Sequence, residues 1–434
     1  MYNSVNVARN IFGLTGAPIE INGGKNVSGI FSWLKRTFPI FNSEKRGATG
    51  GVGHNNFKTA RKKNSAPKRP RRVGVRGKKF VTRKDGKPAV TAALGHELTR
   101  AQSNPILVPH ESNDWETQAA FNPAALAVDG KIHLIYRAIG KDNVSILGYA
   151  ATYDGIHIDE RLGGPAHFWQ RNRKETRSGK PLNYLSGGGG NGGCEDPRLT
   201  LIDNTIFLTY TVFNGWNSLR IALSTIDLED FLNKRWRWSE PAFISKAGEP
   251  NKNWVLFPEK INGKYAILTS ISPGIDIAYF RTLEELKDKA PKHEKNFMEV
   301  WDAKPRLGWD TWLRGAGPPP IKTRYGWLVL YHAIDKKEPG KYKLGAMILD
   351  ARDPRKVLHR SHAPILSPEA LYENCGLKPG IVYSCGAVVV GGKLLVYYGA
   401  ADTVTCVAAA DLDSFLKELI SGGAPKIRSA AKSK

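Results

Sequence analysis

Gly130-Lys-Ile-His-Leu-Ile-Tyr136 returns in altered form four more times along the chain. The copies are Asn204-Thr-Ile-Phe-Leu-Thr-Tyr210, Gly263-Lys-Tyr-Ala-Ile-Leu-Thr269, Tyr325-Gly-Trp-Leu-Val-Leu-Tyr331 and Gly392-Lys-Leu-Leu-Val-Tyr-Tyr398. Most open on a turn former, and all run through Val, Ile, Leu, Phe and Tyr, the composition of a short strand. Their last residues stand 74, 59, 62 and 67 positions apart. Units at such intervals, each burying its face against the next, predict radial repetition. The expected fold is all-β, a five-bladed β-propeller with the phrase as one strand of each blade. If these strands are the inner ones, Arg137, Thr211, Ser270, His332 and Gly399, which follow them, ring one mouth of a central channel. A polar ring on a rigid scaffold suits a small, hydroxyl-rich ligand.

The net charge of +24 over 434 residues is unevenly placed. Residues 45–87 carry 16 Lys/Arg against one acid, whereas residues 88–423 carry a net of only +3. The basic segment, with Ala60-Arg-Lys-Lys-Asn-Ser-Ala-Pro-Lys-Arg-Pro-Arg-Arg72 at its centre, has almost no apolar periodicity. It cannot bury enough surface to offset the entropy of ordering. The expected organisation is a basic, largely disordered extension (1–95), a catalytic propeller (96–423) and a basic C-terminal tail (424–434). Such a charge block can take nucleic acid or another anionic surface as a partner through counterion release. A solubilising extension reads equally well, since no aromatic residues are interleaved for base stacking. A homo-oligomer is left open.

No apolar run reaches the length of a membrane span, and the N-terminus lacks the order of a signal peptide. The cytoplasm is the expected location. Cys194, Cys375, Cys385 and Cys406 form no CxxC pair, so reduced, mostly buried thiols are expected. No spacing of His, Cys or carboxylates calls for a metal, and no cofactor is implied. Asp227–Asn233, Thr282–Lys289 and Leu412–Ile420 read as short helices, and Phe168–Gly193 reads as a long loop. Its end, Gly187-Gly-Gly-Gly-Asn-Gly-Gly193, lacks the GK[ST] of a phosphate loop and precedes a strand, so it reads as a flexible approach to the chemistry.

That chemistry begins at Glu195-Asp196-Pro197-Arg198. Pro197 is expected to hold Asp196 extended, so that Glu195 and Asp196 point to opposite sides and one faces a ligand. Arg198 lies two residues along and can hold the Asp196 carboxylate. A purely structural Asp–Arg pair is the plain alternative.

Asn122-Pro123, Tyr136-Arg137, Glu195–Arg198, Leu256–Tyr265, Gly315–Thr323, Gly326–His332 and Tyr398-Gly-Ala-Ala-Asp402 occur in order. Together they resemble glycoside hydrolase family 130, the β-mannoside phosphorylases and related β-mannosidases, over roughly residues 100–420. The resemblance implies a five-bladed propeller with an inverting site in its central pit. Asp196 corresponds to the general acid, whose proton in phosphorylases of this family is thought to travel through a sugar hydroxyl. Asn122, Arg137 and Asp402 correspond to sugar-contacting positions, and Arg198 joins them beside the acid. Arg314 matches a basic phosphate-contacting position and His332 matches the family's Tyr-His, and both are candidates to gather phosphate.

Cleaving a glycosidic bond needs a proton for the leaving oxygen and a nucleophile on the opposite face of the sugar. Inorganic phosphate arrives anionic, so it needs cations rather than a base. One departure bears on this choice. Where phosphorylases of the family commonly carry His-Arg-Pro, this chain has Ser270-Ile-Ser-Pro273. Losing one charge-assisted contact weakens phosphate binding by about ten- to a hundredfold. Lys252 is the candidate to compensate. Three functions therefore stand in order. The first is an inverting phosphorylase making mannose 1-phosphate. The second is an inverting β-mannosidase, with Glu259 as a candidate base. The third is a non-catalytic carbohydrate- or polyanion-binding propeller. Trp254, Trp309, Trp312 and Tyr383 are candidates to stack on a sugar, one or two of them at most.

Overall fold

All five repeated phrases begin at a two-residue hairpin loop. Three loops, Asp129-Gly130, Asn262-Gly263 and Gly391-Gly392, hold both residues at φ between 50° and 77°. That is the backbone of the tight turns that match strand twist, and it explains the turn formers at the start of these phrases. Each phrase strand is thus the second strand of its unit, not the inner first one.

The computed structural model describes residues 98–168, 190–214, 219–282, 285, 308–422 and 427–428. The basic extension, most of the 168–193 loop and most of the expected 282–289 helix lie outside them. Within them the chain is mostly strands with few helices.

After β1 (Leu98–Arg100) come five antiparallel meanders in four sheets, the first two being joined into one eight-stranded sheet by the parallel bridge Ser145–Gly193. The first is β2 (Ala119–Val128), β3 (Lys131–Ile139), β4 (Ser145–Thr152) and β5 (Glu160–Arg161). The second is β6 (Gly193–Ile202), β7 (Thr205–Phe213), β8 (Arg220–Asp227) and β9 (Ala242–Phe243). The third is β10 (Val255–Leu256), β11 (Tyr265–Ser270) and β12 (Asp276–Phe280). In the fourth, β13 (Trp312–Ala316) and β14 (Ile321–Thr323) both pair with β15 (Gly326–Ile334), followed by β16 (Tyr342–Leu349) and β17 (Val357–Arg360). The fifth is β18 (Val382–Val390), β19 (Lys393–Ala400) and β20 (Val404–Asp411), and β1 pairs with β20 as its outer strand. In the tail, β21 (Ile427–Arg428) pairs with β1. Helices α1 (Leu228–Leu232) and α3 (Leu412–Ile420) start on the caps Asp227 and Asp411, and α2 (Leu371–Asn374) lies between them.

The apolar residues that face out of each sheet meet those of its neighbours. One cluster joins the first and second meanders, and others join second to third, third to fourth and fourth to fifth. A further cluster, with Leu134 and Tyr136 against Leu395 and Tyr397, joins the fifth to the first. The first strands β2, β6 and β18 pack against one another.

Three of the phrase-final tyrosines share a buried polar staple. Tyr136, Tyr331 and Tyr398 each donate a hydroxyl to an acid lying before the first strand of the meander: Glu116 (2.6 Å), Asp310 (2.9 Å) and Glu373 (2.9 Å). An arginine from the outer strand, respectively Arg161, Arg360 and Arg100, pairs with the same acid. Arg100 and Glu373 are both buried, with Arg100 Nε 2.7 Å from Glu373 Oε1. Stranding a buried charge costs far more than the intact pair contributes, so Arg100→Ala is expected to lose about 3–5 kcal/mol of unfolding free energy by denaturant titration. A loss below about 1 kcal/mol would show that β1 is not anchored by this pair.

Candidate active site

The first strands do not run straight. Register shifts interrupt β2 between Phe121 and Ala124, β6 between Glu195 and Arg198, β13 between Leu313 and Gly315, and β18 between Ser384 and Gly386. Such a bulge re-aims a side chain out of the ladder. Asn122-Pro123 and Asp196-Pro197 are the residues displaced in β2 and β6, and Asn122 and Asp196 take φ of 47° and 49°. Asn and Asp tolerate this left-handed backbone better than other side chains. Asp196 is therefore not extended, and the expected alternation fails: Glu195 and Asp196 reach the same guanidinium.

That guanidinium belongs to Arg137 on β3 and is buried. Nη1 donates to Asp196 Oδ1 (3.3 Å), Nη2 to Glu195 Oε1 (3.3 Å) and Nε to Ser145 Oγ (3.0 Å). Asn122 Nδ2 donates to the same Asp196 oxygen at 2.9 Å. Lys252 Nζ donates to Glu195 Oε2 at 3.2 Å. Gly399 on β19 leaves room for this: a Cβ there would overlap the Asn122 side chain and lie 2.8 Å from its backbone nitrogen.

Asn122, Arg137, Asp196 and Lys252 line a cavity of about 730 Å³, whose wall also includes Asn253, Trp312, Arg314, Tyr342, Lys378, Tyr383 and Asp402. Of the residues expected from sequence, it gathers Asn122, Arg137, Asp196, Lys252, Arg314 and Asp402. Asp402 sits in the turn between β19 and β20, where Ala401 and Asp402 both have positive φ. Arg314 projects from the β13 bulge, with its Nε donating to Tyr342 Oη at 2.8 Å and its guanidinium 4.2 Å from the Trp312 ring.

Two expected contacts are corrected. Arg198 lies behind the cavity wall and holds main chain rather than a carboxylate. Its Nη1 donates to the Asp196 carbonyl (2.7 Å), Nε to the Gly317 carbonyl (3.2 Å) and Nη2 to Asn253 Oδ1 (2.9 Å). His332 does not line the cavity either. Its Nε2 accepts from the Ser384 amide at 3.0 Å, and its ring stacks on Tyr383 at 3.9 Å. Burial, with Arg198 nearby, pushes its pKa down to about 3, so it supports Tyr383 as a neutral ring rather than offering a cation.

Glu259 also lies outside the cavity, exposed and paired with Lys322. Thr211 and Ser270 do not line it, so of the residues after the phrases only Arg137 does. Among the aromatic candidates, Trp254 is core and Trp309 stacks on Tyr331, leaving Trp312 and Tyr383 on the wall. Asn253, Tyr342 and Lys378 escaped the sequence reading. Asn253, at φ 64°, carried a weak signal in Asn-Lys-Asn, and the other two carried none.

The two acids facing the cavity are driven apart. Burial alone would raise Asp196, but Arg137, Lys252, Arg198 and the Asn122 amide hold its carboxyl well below the usual range. Burial pushes Asp402 up to about 7, against the pull of Lys378, Arg137 and Lys252, and with ionised Asp196 adding to the rise. Near neutral pH, Asp196 is charged and Asp402 titrates. Among the described residues no cluster of three or more His, Cys, Asp or Glu is placed to hold a metal. No helix among them is long and apolar enough to cross a membrane.

A family profile described as β-1,4-mannooligosaccharide phosphorylase matches residues 97–420. The chain belongs to glycoside hydrolase family 130. A 1,2-β-oligomannan phosphorylase of Thermoanaerobacter sp. (strain X514) is 38% identical over 326 residues, 73% of this chain and 98% of that protein. A β-1,2-mannobiose phosphorylase of the same organism is 35% identical over 324 residues, 72% of this chain and 96% of that protein. The structure of β-1,2-mannobiose phosphorylase from Listeria innocua, in complex with β-1,2-mannobiose, superposes with a TM-score of 0.55. It shares 25% identity, over 74% of this chain and 99% of that one.

The raised Asp402 pKa has a stability consequence. With a folded pKa near 7 and an ordinary carboxyl value when unfolded, the folded state binds more protons between them. The stability tied to Asp402 is present at acid pH and lost as pH rises through about 7. Measured by denaturant unfolding across pH 4 to 8, Asp402→Asn is expected to gain on wild type as pH rises. A gain of wild type over the variant would contradict the assignment.

Proposed function

We propose that this chain is an inverting β-mannoside phosphorylase built as a five-bladed propeller. The circular sequence of shared cores, first to fifth and back to first, supports the propeller. The observation that carries the function is one cavity holding Asp196 at the meeting of two bulges, with Arg314, Lys252 and Lys378 also on its wall. Family membership and the β-mannoside phosphorylases among its relatives supply the substrate class.

In this reading Asn122, Arg137 and Asp402 orient the mannosyl unit at the cavity floor. Phosphate is gathered by the cations and attacks the anomeric carbon from the face opposite the leaving group. The C1–O bond to the acceptor breaks as the C1–O bond to phosphate forms, and Asp196 delivers its proton to the acceptor oxygen, directly or through a sugar hydroxyl. Inversion converts the β-mannoside to α-mannose 1-phosphate. Asp196 must first gain a proton, and bound phosphate favours this: an anion close by opposes the charged carboxylate and competes for Arg137 and Lys252. The acid is thus armed when the nucleophile is in place.

Hydrolysis is favoured by one observation, the uncharged Ser270-Ile-Ser-Pro273 run. With Glu259 outside the cavity, water would need Asp402 as its base. Incubation of β-1,2-mannobiose with and without phosphate, alongside β-1,4-mannobiose, separates the readings. Mannose 1-phosphate is expected to form in step with mannose, and only with phosphate. Phosphate-independent release of mannose would establish hydrolysis instead. Asp196→Asn is expected to lower phosphorolysis at least about 10³-fold with the fold unchanged by circular dichroism. Activity within tenfold of wild type would remove Asp196 from the mechanism.

A further inference from the structure

Phosphate is a dianion or monoanion near neutral pH, and a pit that selects it over water needs more than one cation around it. Lys252 pairs with Glu195, and Arg137 with Glu195 and Asp196, so part of the positive charge on this wall is offset. The run after Tyr265 that faces solvent has no charge: Ser270 Oγ donates to the Ser272 carbonyl at 2.8 Å. Arg314 needs a companion from elsewhere in the fold.

Lys378 is set in place by main chain. Its amide donates to the Ala401 carbonyl at 2.9 Å, next to Asp402. Two residues on, the Gly380 carbonyl accepts from the Tyr342 amide at 2.9 Å, and Ala401 N donates to the Ile381 carbonyl at 3.0 Å. The segment is thereby stitched between Asp402 on one side and Tyr342 on the other. Gly380, at φ 80°, makes the close passage possible, since a Cβ would lie 2.6 Å from the Gly340 carbonyl oxygen. Lys378 Nζ comes 5.7 Å from the centroid of the Tyr342 ring, and Arg314 approaches the same ring, its Cζ 6.0 Å away, while donating to its hydroxyl. Two cations from distant parts of the chain therefore approach one aromatic ring on the cavity wall.

We propose that Lys378 and Arg314, both drawn up to Tyr342, form the grip on inorganic phosphate, and that Lys378 determines this chain's preference for phosphate over water. The proposal rests on the phosphorolysis reading and adds a residue to it. Lys378 also faces Asp402, so it couples the bound anion to the group that titrates near neutral pH. The charge, rather than the bulk, is what the grip requires, so Arg in its place is expected to serve and Met is not.

The test is steady-state phosphorolysis of β-1,2-mannobiose by wild type, Lys378→Met and Lys378→Arg, varying phosphate and disaccharide separately. Lys378→Met is expected to raise the KM for phosphate about ten- to a hundredfold, the loss of one charge-assisted contact. The KM for mannobiose should stay within about twofold, and Lys378→Arg should recover most of the phosphate affinity. A phosphate KM in Lys378→Met within twofold of wild type, with wild type dependent on phosphate, would overturn the Lys378 assignment alone. Equal rises in both KM values would assign Lys378 a structural role and also overturn it. Wild-type cleavage indifferent to phosphate would instead remove the phosphorolysis reading, and this proposal with it.

Discussion

A buried guanidinium organises this site. Arg137 has left water and is held by two carboxylates from consecutive residues, Glu195 and Asp196. A regular strand cannot present neighbours to one group, because successive side chains point to opposite faces. The bulge in β6 removes that prohibition by adding a residue and turning Asp196 into the left-handed region. The parallel bulge in β2 brings Asn122 to the same carboxylate. Strand irregularity is here the means by which a rigid sheet turns a carboxylate out of its ladder and into the cavity. Arg198 completes the frame from behind by fixing the Asp196 carbonyl and Asn253.

The same charges decide where a proton rests. Cations crowd Asp196 and keep it ionised, whereas at Asp402 burial outweighs the pull of Lys378, Arg137 and Lys252 and the carboxyl keeps a proton up to about pH 7. In the proposed chemistry an arriving anion shifts this balance, which ties proton delivery to the presence of phosphate. The polar staples farther out serve another purpose. Tyr, acid and Arg from three separate strands or loops lock three meanders and keep their first strands in register with the cavity.

Much of this was legible in the sequence because turn chemistry is local. Asp-Gly, Asn-Gly and Gly-Gly before an apolar run specify a tight hairpin, so the five phrases located five real strands. Their place within each unit was not legible, since a phrase that starts at a hairpin must be its second strand, and only the partner strand shows this. Asn122, Arg137, Asp196 and Asp402 were found in ordered motifs, Arg314 just before one, and Lys252 as the cation able to compensate for Ser270-Ile-Ser-Pro273, and all six line one cavity. Arg198 was misplaced because the β6 bulge moves its side chain from the pit to the wall behind it, and His332, on the regular strand β15, because its ring packs on Tyr383 and accepts from the Ser384 amide of the next meander. Glu259 was misplaced for a different reason, as nothing local distinguishes a surface carboxylate from a buried one. Lys378 was invisible because its position depends on hydrogen bonds to Ala401 and Tyr342, in segments far from it in the chain.

The central claim is that the Asp196 carboxylate is useful only where Asn122 and Arg137 hold it. Gly399→Ala tests this most directly, since it adds one methyl group against Asn122 and removes no polar group from the cavity. The variant is expected to keep its thermal unfolding midpoint within a few degrees while kcat/KM for the mannoside falls about 10²-fold, the cost of misplacing a reacting group by roughly 1 Å. A variant that turns over substrate as wild type does would show that Asn122 is not needed to position Asp196, and would contradict the account.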